Sequence, residues 1–315
     1  MRIVFFGTSE FAVPALKALI GSLHKVPVVV TQPDRRAGRS LKMSPPPIKV
    51  LAETHGIPVY QPQDISSAEA IDYLKNLDAD LFVVISFGKI LKKEIISIPK
   101  IYSINIHGSL LPKYRGAAPT NWAIIEGERI TGVTVIRMNE RMDEGDIILK
   151  KEIPIEEEDT NITLTEKLSD TSALALLEAI DLIASKKEKF EKQDSEKATY
   201  APKLKKEDGV IDWTLPAVKI RDRVRGLIPW PGAYTYYRGK ILKILHAELF
   251  NDAQDNNADT GEVLAVIKNK GIIVNTGAGT LAIKNLQLEG GRILDSDSFV
   301  RGHRIEAGYV FPSKL

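Results

Sequence analysis

The strongest constraint on this chain is the order in which its apolar runs come. Up to Ile155, short β-favouring runs alternate with segments of helical period. Ile3–Phe6 reads as a buried strand, Gly7–Ser9 as a tight turn, and Phe11–Ile20 carries apolar residues at helical spacing. Ser9 is placed to cap that helix, with Glu10 in its first turn. Val26–Thr31 reads as a second strand, Ile48–His55 as a helix, Val59–Tyr60 as a short strand and Ser67–Leu77 as a helix. Leu81–Ile85 is uniformly apolar, the pattern of a strand covered on both faces of a parallel sheet. Ile101–His107, Gly132–Met138 and Ile147–Ile155 continue as strands, with Thr120–Ile125 helical among them. This alternation predicts a three-layer α/β domain with a Rossmann-like, mostly parallel sheet.

Past that point the pattern changes. Leu164–Ile183 is the longest helical pattern, and Ala184–Lys206 is a Lys- and Glu-rich connector. Stretches around 233–250, 261–267, 271–276 and 280–288 read as short strands between Asn, Asp and Gly turns. They predict a smaller C-terminal β-barrel, OB-like in kind. The expected boundaries are 1–188 for the first domain, 189–207 for a linker and 208–315 for the barrel. A chain of 315 residues holds two domains of these sizes.

Composition removes several classes of function. There is no cysteine, which excludes disulfides, thiolate metal sites and cysteine nucleophiles. Net charge is +2, so an anionic partner must be met by local patches. The apolar run at the N-terminus is too short for a signal peptide, and nothing approaches about 18 uninterrupted apolar residues, so no membrane helix is expected. The P-loop and G-x-S-x-G patterns are absent. Of the dinucleotide fingerprint only Gly7 is present in the first turn, which disfavours a nicotinamide enzyme.

One strand end carries unusual chemistry. Asn105 and His107 lie two apart at the end of Ile101–His107 and so share a face. The chain then breaks at Gly108 into a loop interrupted by Pro112 and Gly116. Ligands of open α/β sheets bind outside the carboxyl ends of strands. Of the five histidines only His107 combines such a position with a polar neighbour on its face, and no two histidines are close in sequence, so a metal site is not supported. Asp143 and Asp146, in the loop Asn139–Asp146, are the carboxylates placed to reach the same edge; either could also simply cap its turn. An amide and an imidazolium donate hydrogen bonds to a developing oxyanion, and a carboxylate relays protons.

The segment Gln32–Pro47 is a second feature. It has no periodicity, is long for a βα connection, and carries Arg35, Arg36, Arg39 and Lys42 against Asp34. It reads either as an arm that meets phosphates or as a solvated loop.

Asn105–Gly116, with the Asp143–Asp146 stretch downstream, resembles the 10-formyltetrahydrofolate-dependent formyltransferase family. The resemblance maps the catalytic Asn, His and Asp of that family onto Asn105, His107 and Asp143, selecting Asp143 because it stands before x-Gly. Gly7–Ala12, Thr31–Arg39, Arg115–Pro119, Ile211–Trp213 and Pro229–Pro231 extend it over nearly the whole chain, toward members that formylate initiator methionyl-tRNA. It implies 10-formyltetrahydrofolate as co-substrate and no metal. It implies a folate pocket lined by Phe87, Gly88, Lys89, Ile90 and Leu91, by Ser109, Leu110, Leu111 and Pro112, and by the loop before Asp143. It also implies that Arg35, Arg36, Arg39 and Lys42 contact the acceptor arm of the tRNA, Arg39 foremost, and that 208–315 is a tRNA-binding domain. Lys219, Arg221, Arg223, Arg225, Arg238 and Lys240 offer a further phosphate-facing surface there. A monomer working in the cytoplasm, free of membrane, is expected. A formyltransferase for a small amine would share the three residues and leave the basic loop unexplained; an RNA-binding protein without catalysis would leave the three residues unexplained.

Overall fold

The structure, a computed structural model, describes residues 1–37, 42–250 and 257–313. The chain divides into two compact units. The first is Met1–Pro119, Ile130–Pro154 and Thr165–Pro202, and the second is Thr120–Arg129, Ile155–Leu164 and Lys203–Leu315.

In the first unit the strands come as β1 (Ile3–Gly7), β2 (Val29–Val30), the pair β3 (Arg35–Ala37) and β4 (Lys42–Ser44), β5 (Val59–Tyr60), β6 (Leu81–Ile85), β7 (Tyr102–His107), β8 (Arg115–Gly116), β9 (Ile130–Arg137), β10 (Asp146–Pro154) and β11 (Tyr200–Ala201). Seven of them form one sheet in the order β10-β9-β7-β6-β1-β2-β5. β5, β2, β1, β6 and β7 run parallel, while β9 and β10 each pair antiparallel with their neighbour. The strand order reverses between β1 and β6, and in such sheets that reversal opens a crevice at the carboxyl ends. The mostly parallel α/β sheet expected from the alternation is present.

Every residue of β1 and β6 is buried, as their unbroken apolar runs require. Val4, Phe6, Phe82 and Val84 face one side with Val28, Val30, Leu74 and Phe87. Phe6 meets Phe82 at 5.0 Å and Phe87 edge-on at 5.5 Å between ring centroids. β1 ends at Gly7, where a Cβ would lie 2.7 Å from the Phe5 ring and 3.2 Å from the Ile85 carbonyl. Only glycine lets the chain turn there into α1 (Val13–Ile20). The glycine is architectural, in keeping with the missing fingerprint. Further along come α2 (Pro47–Thr54), α3 (Ala68–Asn76), where Ser67 Oγ caps by accepting from the Ala70 N–H, and the single turn α4 (Lys93–Ile96). Ser9 makes no side-chain cap, and Glu10–Ala12 forms a 3-10 turn instead. The second strand is shorter than its apolar run, because only Val29 and Val30 find partners on both sides.

α5 (Pro119–Glu126) and α6 (Asn161–Ala184) come next in the chain. The second unit adds α7 (Ala217–Gly226), β12 (Ala233–Tyr237), β13 (Lys240–Phe250), β14 (Val263–Ile267), β15 (Gly271–Asn275), β16 (Thr280–Leu288), β17 (Leu294–Asp295) and α8 (Ser296–Gly302). Its strands form an antiparallel sheet in the order β12-β13-β16-β15-β14, with β17 on β16. Trp213 is almost fully buried and stacks on Phe311 with 5.8 Å between centroids. Among the described residues no helix is long and apolar enough to cross a membrane.

Candidate active site

β7 carries Asn105 and His107 on one face, because they are two residues apart on a strand. Their neighbours Ile104 and Ile106 are buried in the core. On the adjoining β9, Asn105 pairs with Ile136 and His107 with Thr134. The loop joining β9 to β10 brings Asp143 back to the same edge, since Arg137 and Asp146 are opposed in register. Asn105 Nδ2 lies 3.5 Å from Asp143 Oδ1, and His107 Nδ1 lies 3.5 Å from Asp143 Oδ2. The backbone N–H of Gly116 donates to the same Oδ2 at 2.9 Å. The structure therefore brings together the amide, the imidazole and the carboxylate picked out in the sequence. Asp146 instead pairs with Arg137, on the strand opposite.

His107 is only 7% exposed. Its Nε2 sits 2.8 Å from the carbonyl of Tyr114. A carbonyl only accepts, so the geometry assigns the proton of that contact to Nε2. A carboxylate also only accepts, so Nδ1 bonds Asp143 when it too carries a proton. The ring is thus held by its far nitrogen, and Nδ1 is the atom turned to Asp143. Both 3.5 Å separations are longer than a strong hydrogen bond, as hydrogen bonds at unliganded catalytic sites often are.

The loop after β7 is a braced element. Thr134 Oγ1 donates to the Ser109 carbonyl at 2.7 Å and accepts from Leu111 N–H at 3.0 Å. Ser109 Oγ donates to the Lys113 carbonyl at 2.6 Å. Tyr114 N–H donates to Thr199 Oγ1 at 2.9 Å, and β8 pairs in parallel with β11. Gly116 has φ +123°, and a Cβ there would come 2.7 Å from the Ala201 carbonyl. These contacts fix the Tyr114 carbonyl against His107 and the Gly116 N–H against Asp143.

At the carboxyl end of β6, Ser86 and Gly88 have φ of +48° and +82°. Thr8 Oγ1 donates to the Phe87 carbonyl at 2.8 Å, and the hydroxyls of Ser9 and Ser86 are 2.7 Å apart, tying this turn to the end of β1. Of the residues assigned to a folate pocket, Gly88, Lys89 and Ile90 are exposed. Phe87, Leu91, Ser109 and Leu111 are buried, Leu111 against Ile136 and Ile147; Leu110 and Pro112 are half-buried. Lys89 Nζ donates to the Gln63 carbonyl at 2.6 Å.

The basic segment differs from the irregular loop expected of it. Its described residues include the antiparallel pair β3–β4, with Arg36 opposite Met43 and Ala37 opposite Lys42. Arg35 is exposed, and its guanidinium donates to Gln32 Oε1 at 3.2 Å. Arg39 lies outside the described residues. Asp34 anchors the base of this pair: Lys49 Nζ meets it at 2.9 Å and Gln61 Nε2 donates to it at 2.8 Å. The hydrogen bonds from Gln61 and Lys49 lower its pKa.

The cations of α7 are otherwise engaged than in a phosphate-facing row. Arg225 Nε and Arg221 Nη2 meet the buried Asp222 at 2.9 and 3.2 Å, and Arg223 donates to the Asp208 carbonyl at 2.6 Å. Lys219 donates to the Glu126 carbonyl at 2.8 Å. Arg238 lies over the Tyr237 ring at 5.2 Å. A buried acid holds Arg221 and Arg225, a use that a run of basic residues does not reveal.

An open cavity of about 340 Å³ borders the Asp143 loop, lined by Asn139, Glu140, Arg141, Glu144, Asp146, Lys192, Gln193 and Ser195. It includes neither Asn105 nor His107. Among the described residues no group of three or more His, Asp or Glu side chains is placed to hold a metal ion.

An amide, an imidazole and a carboxylate that converge at the end of a mostly parallel sheet can donate to an oxyanion and relay a proton, which acyl transfer requires. The class is given by comparison with known families: residues 1–180 match the formyl transferase family, and residues 203–304 match its C-terminal domain. The chain is 45% identical over 308 residues to a methionyl-tRNA formyltransferase of Geobacter sulfurreducens, covering 98% of this chain and 96% of that one. It is 46% identical over 312 residues to one of Caldanaerobacter subterraneus, covering 98% and 99%. The chain belongs to the formyl transferase family and stands among its methionyl-tRNA formyltransferases. Among solved structures the fold is similar to the N-formyltransferase from Helicobacter canadensis in complex with folinic acid and dTDP-3-aminofucose. There the TM-score is 0.67 at 19% identity, over 90% of this chain and 98% of that one. A sugar 3N-formyl transferase solved with dTDP and 5-N-formyl-THF gives the same TM-score at 20% identity, over 90% and 97%.

Proposed function

We infer that the protein transfers the formyl group of 10-formyltetrahydrofolate to the α-amino group of initiator methionyl-tRNA, giving N-formylmethionyl-tRNA for translation initiation. The observation that supports this most is the convergence of Asn105, His107 and Asp143 in a chain alignable end to end with methionyl-tRNA formyltransferases.

An α-amino group titrates at about 8, so near neutrality a good part of it is a nucleophile already. The enzyme's harder task is the tetrahedral intermediate. The amine nitrogen bonds the formyl carbon, the carbonyl oxygen gathers negative charge, and the bond to N10 breaks as the carbonyl reforms. Asn105 Nδ2 and His107 Nδ1 donate to that oxygen; one such donor is worth about 3 kcal/mol. The amine gives up one proton and N10 gains one, with Asp143 accepting and His107 assisting the passage. Atoms and electrons balance with no redox partner.

Folate fits the turn at the end of β6. Gly88, Lys89 and Ile90 present exposed groups there, and Leu110 and Pro112 present partly exposed ones. Phe87, Leu91, Ser109 and Leu111 act from behind or through their backbone. Arg35 and Arg36 of β3, Lys42 of β4, and Arg39, which lies outside the described residues, meet the acceptor arm of the tRNA, and 208–315 supplies further tRNA contacts. The catalytic part is 1–188 together with the segment to Pro202, which belongs to the same compact unit, and 203–207 lead into that domain. The protein acts as a cytoplasmic monomer.

Incubation with formyl-labelled 10-formyltetrahydrofolate and charged initiator tRNA tests the reading. Label is expected in N-formylmethionine released by ester hydrolysis. Label passing to a small amine such as an aminosugar nucleotide, and not to the tRNA, would overturn it.

A further inference from the structure

Asp143 stands in the left-handed backbone region, with φ +56°, which residues bearing a Cβ adopt rarely, Asp less rarely than most. A residue other than glycine persists in the left-handed region where its surroundings over-determine it. Two side chains from outside the loop do so.

Gln193 Nε2 donates one proton to the Asp143 carbonyl at 2.7 Å and the other to the Gly145 carbonyl at 2.8 Å. Gln193 Oε1 accepts from Arg115 Nε at 3.1 Å and Nη2 at 2.8 Å. The amide thereby uses both of its donors and both of its acceptor positions. Arg115 is 3% exposed, and its remaining terminal nitrogen, Nη1, meets Glu144 Oε1 at 3.2 Å. Residues 143, 144 and 145 are thus each gripped in turn. The neighbour of Arg115, Gly116, donates its N–H to the Asp143 carboxylate. A Cβ at Gly145 would overlap the Arg137 carbonyl, so the loop has no freedom to shift on that side either.

We propose that Gln193, backed by Arg115, is the positioning residue that aims the Asp143 carboxylate at Asn105 and His107 and so sets the rate of formyl transfer. The proposal rests on the reading of those three residues as the reacting site. Gln193 touches no reacting atom; it acts through the backbone of the loop. Gln193→Glu is nearly isosteric and keeps an acceptor for Arg115, but it places a carboxylate against two carbonyl oxygens and removes both donors. A displacement on the order of 1 Å in a reacting group costs about 100-fold in rate.

Single-turnover transfer to methionyl-tRNA in Q193E, D143N and the double variant, with KM for both substrates, tests this. Q193E is expected about 100-fold slower, with both KM values within about twofold of the parent. In the D143N background Q193E is expected to add no further loss, because residues acting through one group are not additive. If Q193E does not fold, Gln193→Met, neutral and similar in length, is expected to give the same rate loss and the same non-additivity. Q193E at the parental rate beside a slow D143N overturns the role of Gln193, as do raised KM values with an intact rate or full additivity in the double variant. D143N at the parental rate overturns the reading of the site itself.

Discussion

Nδ1 of His107 is aimed because other atoms hold the rest of the ring. The Tyr114 carbonyl takes Nε2, and that carbonyl stays in place because Thr134, Ser109 and Thr199 brace the loop behind it. Thr134 is fully buried and serves both as donor and as acceptor. Thr134→Val keeps the shape and leaves Leu111 N–H and the Ser109 carbonyl without this partner. It is expected to cost about 1–3 kcal/mol, read as a lowered thermal unfolding midpoint, and a midpoint unchanged from the parent would contradict the bracing role. At this scale the sequence was a good guide where periodicity operates. Asn105 and His107 share a face because strands repeat every two residues, and that follows from the numbering alone. Gln193 lies in a Lys- and Glu-rich stretch with no period, and its partners are backbone carbonyls some fifty residues earlier. No local pattern marks such a contact.

Among the elements, those buried on both faces were the most legible. β1 and β6 are apolar without interruption, and only the interior of a parallel sheet accommodates that. Short pieces whose existence depends on a partner strand and not on their own pattern were not visible: β8 exists because β11 pairs with it, and β3 and β4 exist because they pair with each other. α4 has four residues, too few to show a helical period.

β7 is tied to the segment that carries Gln193 by a bond with a pH signature. Tyr102 OH donates to Glu188 Oε1 at 3.1 Å, and Phe190 packs edge-on against the ring at 5.8 Å. Burial first, and then the charge and hydrogen bond of Glu188, push the Tyr102 hydroxyl well above the ordinary phenol range. The folded state therefore holds this proton to higher pH than the unfolded chain does. The contribution is complete below the unfolded value of about 10 and is lost as pH rises beyond it. Tyr102→Phe removes this titration. Between about pH 10 and 12 the parent is expected to lose more of its unfolding midpoint than Y102F does. Parallel pH profiles would contradict the assignment.

For the whole molecule, charge is apportioned rather than abundant. A net charge of +2 gives no long-range pull toward RNA, so recognition falls to local groups. The arginines of α7 bind Asp222 and nearby carbonyls, which leaves the β3–β4 segment as the basic element argued for tRNA. Arg39→Ala is accordingly expected to weaken methionyl-tRNA use about tenfold or more while leaving tetrahydrofolate affinity within about twofold, and the slope of tRNA affinity against salt should fall by about one charge. Equal losses for both substrates would refute a contact to tRNA.

The rate of a single turnover with His107→Ala bears most directly on the central claim, that one imidazole nitrogen, an amide and a carboxylate share the formyl oxygen and the amine's proton. With saturating 10-formyltetrahydrofolate and methionyl-tRNA, the formylation rate is expected to drop by roughly 100-fold or more while tetrahydrofolate still binds. A rate indistinguishable from the parent would contradict it.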